Sequence, residues 1–458
     1  MPSEVVRITN IKLKNFKDVR FGEVPWGNLD NLVLDKSDIR GIYGQNGSGK
    51  TAVVDALHLL QKILCGTELP TNAAENIRRG ETEAEVGVCF LIKEGEKYFG
   101  YEYIYTLREV NAKCRVSSEK LLFTELSQNE NGFYKEIFSC NIIGESNTFG
   151  PKYSYDKFVK DDENNIISFA VAKKMAANTG TSLLFSEEGS KIFDDKFSDE
   201  MLSFGVRALR HFAMAKMFVI TNLDIGVINM QYLIPINISQ KKQDVLDKGT
   251  IPIFLQKISL IPKRIYDVLN NSIEPINKVL STIVPNLRVE INDYGSQLMD
   301  DGSDGRKIEL ISVKEGVKIP LRCESAGVIK IVSILNAIIA MYNDETVCLV
   351  VDELDSGIFE YLLGNLLQII EKNGRGQLLF TSHNLRILET VNKESISFTT
   401  VNPENRYISI DGIDKTDNIR DTYLRSLSIG GQKEKLCDDI DVYAIGRAFR
   451  LAGRDLMA

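Results

Sequence analysis

Gly44-Gln45-Asn46-Gly47-Ser48-Gly49-Lys50-Thr51 fits the phosphate-loop pattern G-x-x-x-x-G-K-[ST] over its whole length. The apolar run Ile39–Tyr43 before it predicts a short strand, and Ala52–Leu57 after it predicts a helix with an apolar face. In that setting the glycines let backbone N–H groups turn inward, and the helix that starts at about Lys50 adds the positive end of its dipole. The segment therefore implies a site for a nucleoside triphosphate, with Lys50 reaching the β- and γ-phosphates and Thr51 holding Mg²⁺.

A second stretch reads as the partner of the first. Thr346–Val351 is almost wholly apolar and ends in Asp352-Glu353, the pattern of a buried parallel strand whose C-terminal end meets a ligand. Asp352 is predicted to support Mg²⁺ and Glu353 to polarise the attacking water as a general base. Alone, the segment reads better as an ordinary buried strand ending in a solvated acidic turn, and the phosphate loop upstream is what favours the catalytic reading. Between them, Ser325-Ala326-Gly327 precedes a run with helical spacing, so a hydroxyl and free amides at a helix N-terminus are available to a γ-phosphate.

The order of phosphate loop, long intervening stretch, Ser-x-Gly helix and Asp-Glu strand resembles the ABC-type ATPases. The resemblance implies ATP and Mg²⁺ as ligands and a head-to-tail dimer in which Ser325 and Gly327 of one copy close over ATP held by the other. The fuller Leu-Ser-Gly-Gly-Gln signature is reduced here to Ser325-Ala326-Gly327. Leu354-Asp355-Ser356-Gly357 resembles the family's D-loop, with Asp355 as a cross-dimer contact. His383, at the end of the strand-like Gln377–Ser382, matches the switch histidine, whereas His58 and His211 lie on helical stretches and read as packing residues. No glutamine falls within residues 86–110, and Gln61 comes too early, so the family's Q-loop contact is unassigned. Lys17 stands where related proteins carry a basic residue near the nucleotide, although an exposed strand lysine reads as well.

The opening Ile-x-Leu-x-Asn-Phe-Lys strand and the Thr-Ser-His-Asn stretch are similar to the branch that holds RecF, SMC proteins and the overcoming-lysogenization-defect ATPases. The implied fold class is α/β, a P-loop core with an antiparallel β subdomain and a helical insertion. The expected units are 1–125, the first half of the core; 126–285, a mostly helical insertion with helices over Phe197–Ile220 and Ile253–Leu280; 286–400, the second half of the core; and 401–458, a C-terminal extension. Glu85–Ile92 and Tyr98–Tyr105 are predicted to form a hairpin, and Ser127–Gly150 reads as loop.

With 458 residues, 43% hydrophobic and 26% charged, the composition is that of a globular protein of more than one unit. A net charge of -8 and a pI near 5.3 lack the global signature of a nucleic-acid-coating protein, so DNA binding is left open. Seven scattered cysteines with no C-x-x-C suit reduced thiols. The N-terminus has no signal-peptide pattern and no apolar run is long enough to predict a membrane span, so a soluble cytoplasmic protein is expected. The 58 residues beyond Thr400 are too few for a fused Toprim nuclease. A separate nuclease effector is therefore expected, an arrangement that resembles the ATPase subunits of PARIS phage-defence systems, whose oligomers hold an effector until a phage protein triggers its release. A RecF- or SMC-like DNA-repair ATPase is the alternative. The stretch from Asp441 onward predicts a helix with Arg447, Arg450 and Arg454 near one face, a docking element or a solvated basic face.

Overall fold

The computed structural model describes residues 4–27, 34, 36–126, 133–162, 164–193, 199–224, 233–242, 245–255, 257–410, 418–438 and 441–455. Its centre is a sheet built from β3 (Asp38–Tyr43), β8 (Met217–Ile220), β15 (Cys348–Val351), β16 (Gln377–Ser382), β17 (Ile396–Thr399) and β18 (Tyr407–Ile408). The order is β18-β17-β3-β16-β15-β8, parallel throughout except for β18.

Side chains alternate across this sheet, as a strand buried on both faces requires. Cys348, Val350 and Leu379 join one core with helix α1 (Lys50–Leu64) and an antiparallel sheet, while Leu349, Val351, Leu378 and Phe380 join a second core on the opposite face. The antiparallel sheet runs β2-β1-β4-β5-β6-β7, with β1 (Val5–Phe16), β2 (Val19–Pro25), β4 (Glu83–Glu94), β5 (Lys97–Val110), β6 (Lys113–Leu126) and β7 (Lys135–Asn141). It includes the predicted hairpin. Within the stretch read as loop, β7 forms because Ile137, Phe138 and Cys140 are buried beside β6, while residues 127–132 lie outside the described residues.

The second core is closed by α6 (Lys263–Ile283) and α7 (Ala326–Asn343). On α6, buried Val268, Leu269, Ser272, Ile273, Ile276, Asn277 and Leu280 recur at helical spacing. The helix runs through Pro275, which faces solvent together with Asn271, the residue whose carbonyl loses its partner, so water takes up the freed group. By length and composition α7 is apolar enough to cross a bilayer, contrary to the expectation that no run approaches that length, but most of it is buried in the protein.

Residues 126–285 are less helical than expected. Helices α2 (Lys152–Asp161), α3 (Asn164–Thr179), α4 (Glu187–Phe193) and α5 (Glu200–His211) are there, but so are β8, β9 (Leu233–Lys242), β10 (Val245–Phe254) and β11 (Ser259–Pro262). The predicted helix Phe197–Ile220 begins at Glu200, with residues 194–198 outside the described set, and gives way to β8. Met217, Phe218 and Ile220 are almost fully buried beside β15, and a short apolar run serves a buried strand as readily as a helix. The predicted helix Ile253–Leu280 starts only at Lys263, because Ser259–Pro262 pairs with β13 (Asp304–Lys314).

Candidate nucleotide site

The parallel strands bring their C-terminal ends to one rim. Val351 pairs with Ile220 and Phe380, and Ser382 pairs with Tyr43, so residues 44, 221, 352 and 383 follow side by side. Ligands of open α/β sheets bind at such rims.

The loop Gly44–Thr51 leaves β3 there and enters α1 at Lys50. The N-cap, Gly49, has φ 91° and no side chain to cap the helix, so the first amides of α1 are free for an anion. Gly44 is required by crowding, since a Cβ there would stand 1.6 Å from Thr399 Oγ1. Ser48 Oγ lies 2.5 Å from the same Thr399 hydroxyl and donates to Gln45 O at 2.7 Å. Lys50 is buried, and its Nζ donates to the carbonyls of Gly44 and Gln45, both at 2.8 Å. Burial lowers its pKa while Asp352, Glu353 and Asp355 oppose the shift.

Asp352 is fully buried, and its Oδ1 accepts a hydrogen bond from Thr381 Oγ1. Its Oδ2 has no hydrogen-bond partner among the described residues. Burial raises the carboxyl's pKa, the hydroxyls of Thr381 and Thr51 pull it down, and the charges of Asp55 and Glu353 raise it again. A buried, unpartnered carboxylate oxygen beside a threonine hydroxyl is a hard-oxygen donor set of the kind that would suit Mg²⁺. Among the described residues no cluster of three or more His, Cys, Asp or Glu is arranged for a metal.

Glu353 follows with φ 44°, a left-handed conformation strained for a residue with a Cβ. Its N–H donates to Thr381 Oγ1 at 2.7 Å, and its Oε1 accepts from Asn222 Nδ2 at 3.2 Å. Asp355 Oδ2 accepts the backbone N–H of His383 at 3.0 Å, and its Oδ1 is buried without a partner among the described residues. The His383 ring is exposed, and its pKa is lowered by partial burial and by the Lys50 cation against the pull of Asp355, Glu353 and Asp352.

Ser325 caps α7, its Oγ accepting from Val328 N at 3.3 Å. A Cβ on Gly327 would stand 2.0 Å from Gly357 O, so the α7 N-terminus lies directly on the Leu354–Gly357 turn. Among the described residues, neither Ser325 nor Gly327 hydrogen-bonds to the phosphate loop of its own chain.

Several contacts were not foreseen in the sequence. Asn222 follows the strand beside β15 and from there reaches Glu353, whereas residues 86–110 lie in the antiparallel sheet. Gln61 holds Ala213 O and Met217 O at 3.3 and 2.6 Å, a structural tie. Lys17 is ion-paired to Asp55, one turn beyond Thr51, and is not a free strand lysine. His58 is partly buried with its pKa lowered by burial, whereas His211 is exposed at the end of α5, so packing does not account for it. From the C-terminal extension, Tyr407 OH donates to Gly49 O at 2.7 Å, and Cys437 Sγ donates to Gln45 Oε1 at 3.0 Å.

Against known proteins, residues 7–388 match the AAA ATPase domain family. No curated protein gives a significant match. Similar solved structures include an SmcHead bound to the C-winged helix domain of ScpA (10% identity, TM-score 0.42, covering 88% of this chain and 97% of that chain). They also include an Smc head domain with an extended coiled coil bound to the C-terminal domain of ScpA from Pyrococcus furiosus (11%, 0.40, 88% and 96%) and the SMC head domain from Thermotoga maritima (16%, 0.33, 89% and 100%). At such TM-scores the likeness is too loose to assign a role to any residue, and the family rests on the sequence match. With that match covering most of its length, the chain belongs to the AAA ATPase domain family.

Proposed function

We propose that the chain hydrolyses ATP in a pocket completed by a second copy of itself, and that the resulting change of association controls a separate effector. The observation that carries this reading is the convergence of Lys50, Asp352, Glu353, Asp355 and His383 on one rim, where the three carboxylates oppose the lowering of the Lys50 and His383 pKa values. Loop amides and Lys50 bind the phosphates. Thr51 and Asp352 hold Mg²⁺, which offsets phosphate charge when bound. Glu353, steadied by Asn222, takes the proton of the attacking water, and His383 contacts the terminal phosphate. Ser325, Gly327 and Asp355 face the nucleotide of the partner copy. The N-terminus of α7, which among the described residues hydrogen-bonds to no group of its own phosphate loop, supports that assignment.

The effector assigned is a Toprim-like nuclease in a cytoplasmic bacterial anti-phage complex, released when a phage protein triggers the ATPase. Exposed Val442, Tyr443 and Phe449 on α10 (Val442–Asp455), and cysteines that form no disulfide among the described residues, support a docking element and a reducing compartment. One observation favours the second reading, a DNA-repair ATPase: Arg78, Arg79 and Arg108 line an open cavity of about 800 Å³, shared with Glu81 and Glu109. Steady-state hydrolysis by wild type and Glu353→Gln tests the chemistry, and equal rates contradict it. Phage challenge of cells carrying the intact locus or its Lys50→Ala form tests the role. Unchanged protection contradicts it, and ATP-dependent DNA binding that weakens steeply with salt selects the repair reading.

A further inference from the structure

Helix α7 is lined with buried aliphatic residues, among them Ile329, Val332 and Ile334, yet Lys330 sits among them with no exposed surface. A buried ammonium is costly unless something specific holds it. Here Nζ donates to Glu353 O at 2.6 Å and to Ser356 O at 3.0 Å. Those carbonyls bracket one tight turn, in which Ser356 N–H also donates to Glu353 O at 3.0 Å. The turn begins with the strained Glu353 peptide, held on its other side by Thr381.

We propose that Lys330 is a positioning residue for ATP hydrolysis: it pins the Glu353–Ser356 turn to α7 and so keeps the Glu353 carboxylate aimed at the nucleotide rim. The proposal rests on the reading of Glu353 as general base. Without the tether, α7 no longer holds the Glu353 carbonyl, so the Glu353 backbone is freer to relax out of the left-handed region, and that relaxation swings the direction of its Cα–Cβ bond. Burial pushes the Lys330 pKa down to about 8 against the pull of Asp355, Glu353 and Asp352, so the group remains a cation at pH 7 and its two hydrogen bonds are charge-assisted. Gly327, one turn earlier, lies against Gly357 O, so the same helix grips both ends of the turn.

The test is steady-state ATP hydrolysis by the full chain carrying Lys330→Met, which keeps length without charge, or Lys330→Gln, which keeps polarity without reach. Each folded variant is expected to lose kcat by at least about tenfold, with KM for ATP within about twofold of wild type because the phosphate loop is untouched. Lys330→Arg, retaining charge and donors, is expected to recover most of the loss. If Lys330→Met does not fold, Lys330→Gln carries the test. Wild-type kcat in either folded variant overturns the proposal, as does a loss confined to KM. Glu353→Gln run alongside separates the failures. If it is inactive while Lys330→Met is normal, only the tether is wrong; if it is fully active, the general-base reading falls first.

Discussion

Gly44→Ala should disable the phosphate loop through a residue 355 positions away in sequence. The new Cβ would stand 1.6 Å from Thr399 Oγ1 and 2.9 Å from both Ser48 Oγ and Thr399 Cβ. Relaxed contacts need about 3.5 Å, so loop and β17 must part by roughly 1.5–2 Å. Misplacement of a binding element by about 1 Å costs on the order of 100-fold, equivalent to about 2.7 kcal/mol. Removing the offending oxygen with Thr399→Ala leaves 2.9 Å as the shortest contact. It also deletes the Ser48–Thr399 hydrogen bond, a loss of about 1 kcal/mol. Gly44→Ala is therefore expected to lower kcat/KM for ATP by about 100-fold, and the double variant to regain about tenfold of that. Hydrolysis rates and ATP titration, on samples whose melting shows them folded, read the effect. Wild-type behaviour of Gly44→Ala, or a double variant no better than the single, refutes the reasoning.

Lys50→Ala, which removes the cation folded over the loop, should abolish ATP binding; labelled-ATP titration with unchanged affinity contradicts this. Glu353→Gln should bind ATP and accumulate as a dimer, and sedimentation with and without ATP that shows no change in association counts against it. Lys330 gives a pH test with a definite sign. Its folded pKa of about 8 lies below the ordinary 10.5, so its charge opposes folding below pH 8 and that opposition is relieved as pH rises towards 10.5. The stability of Lys330→Met relative to wild type should accordingly fall between pH 7 and 10 by up to about 3 kcal/mol, as read by denaturant unfolding. A difference flat across that range contradicts it.

The part of the site that is local in sequence was legible there. The octet Gly44–Thr51 specifies its own turn, and the apolar run ending at Asp352-Glu353 specifies a buried strand with acids at its mouth. What escaped depends on pairing over long separations. Asn222 reaches Glu353 only because β8 lies beside β15, and Met217–Ile220 follows a helix so closely that its apolar spacing reads as a continuation. Thr399, Tyr407 and Cys437 meet the loop through β17, β18 and the segment beyond, and no pattern in an isolated stretch announces such a contact. Lys330 lies three residues beyond Gly327, on the helix that Ser325 caps. Its role stays hidden until the turn after β15 is seen folded over α7. The helix α6 carries Pro275 inside it, as the expected helix Ile253–Leu280 also did, and tolerates it because Pro275 faces solvent.

Mixing two inactive variants tests most directly whether each pocket is shared between copies. Lys50→Ala spoils the loop and keeps Ser325; Ser325→Arg spoils the α7 N-terminus and keeps the loop. In a head-to-tail dimer of one of each, one pocket combines the intact loop with the intact Ser325, so the account predicts that mixing restores ATP hydrolysis that neither variant shows alone. Ser325→Arg as active as wild type on its own, or a mixture as inactive as its components while the two are shown to associate, would contradict it.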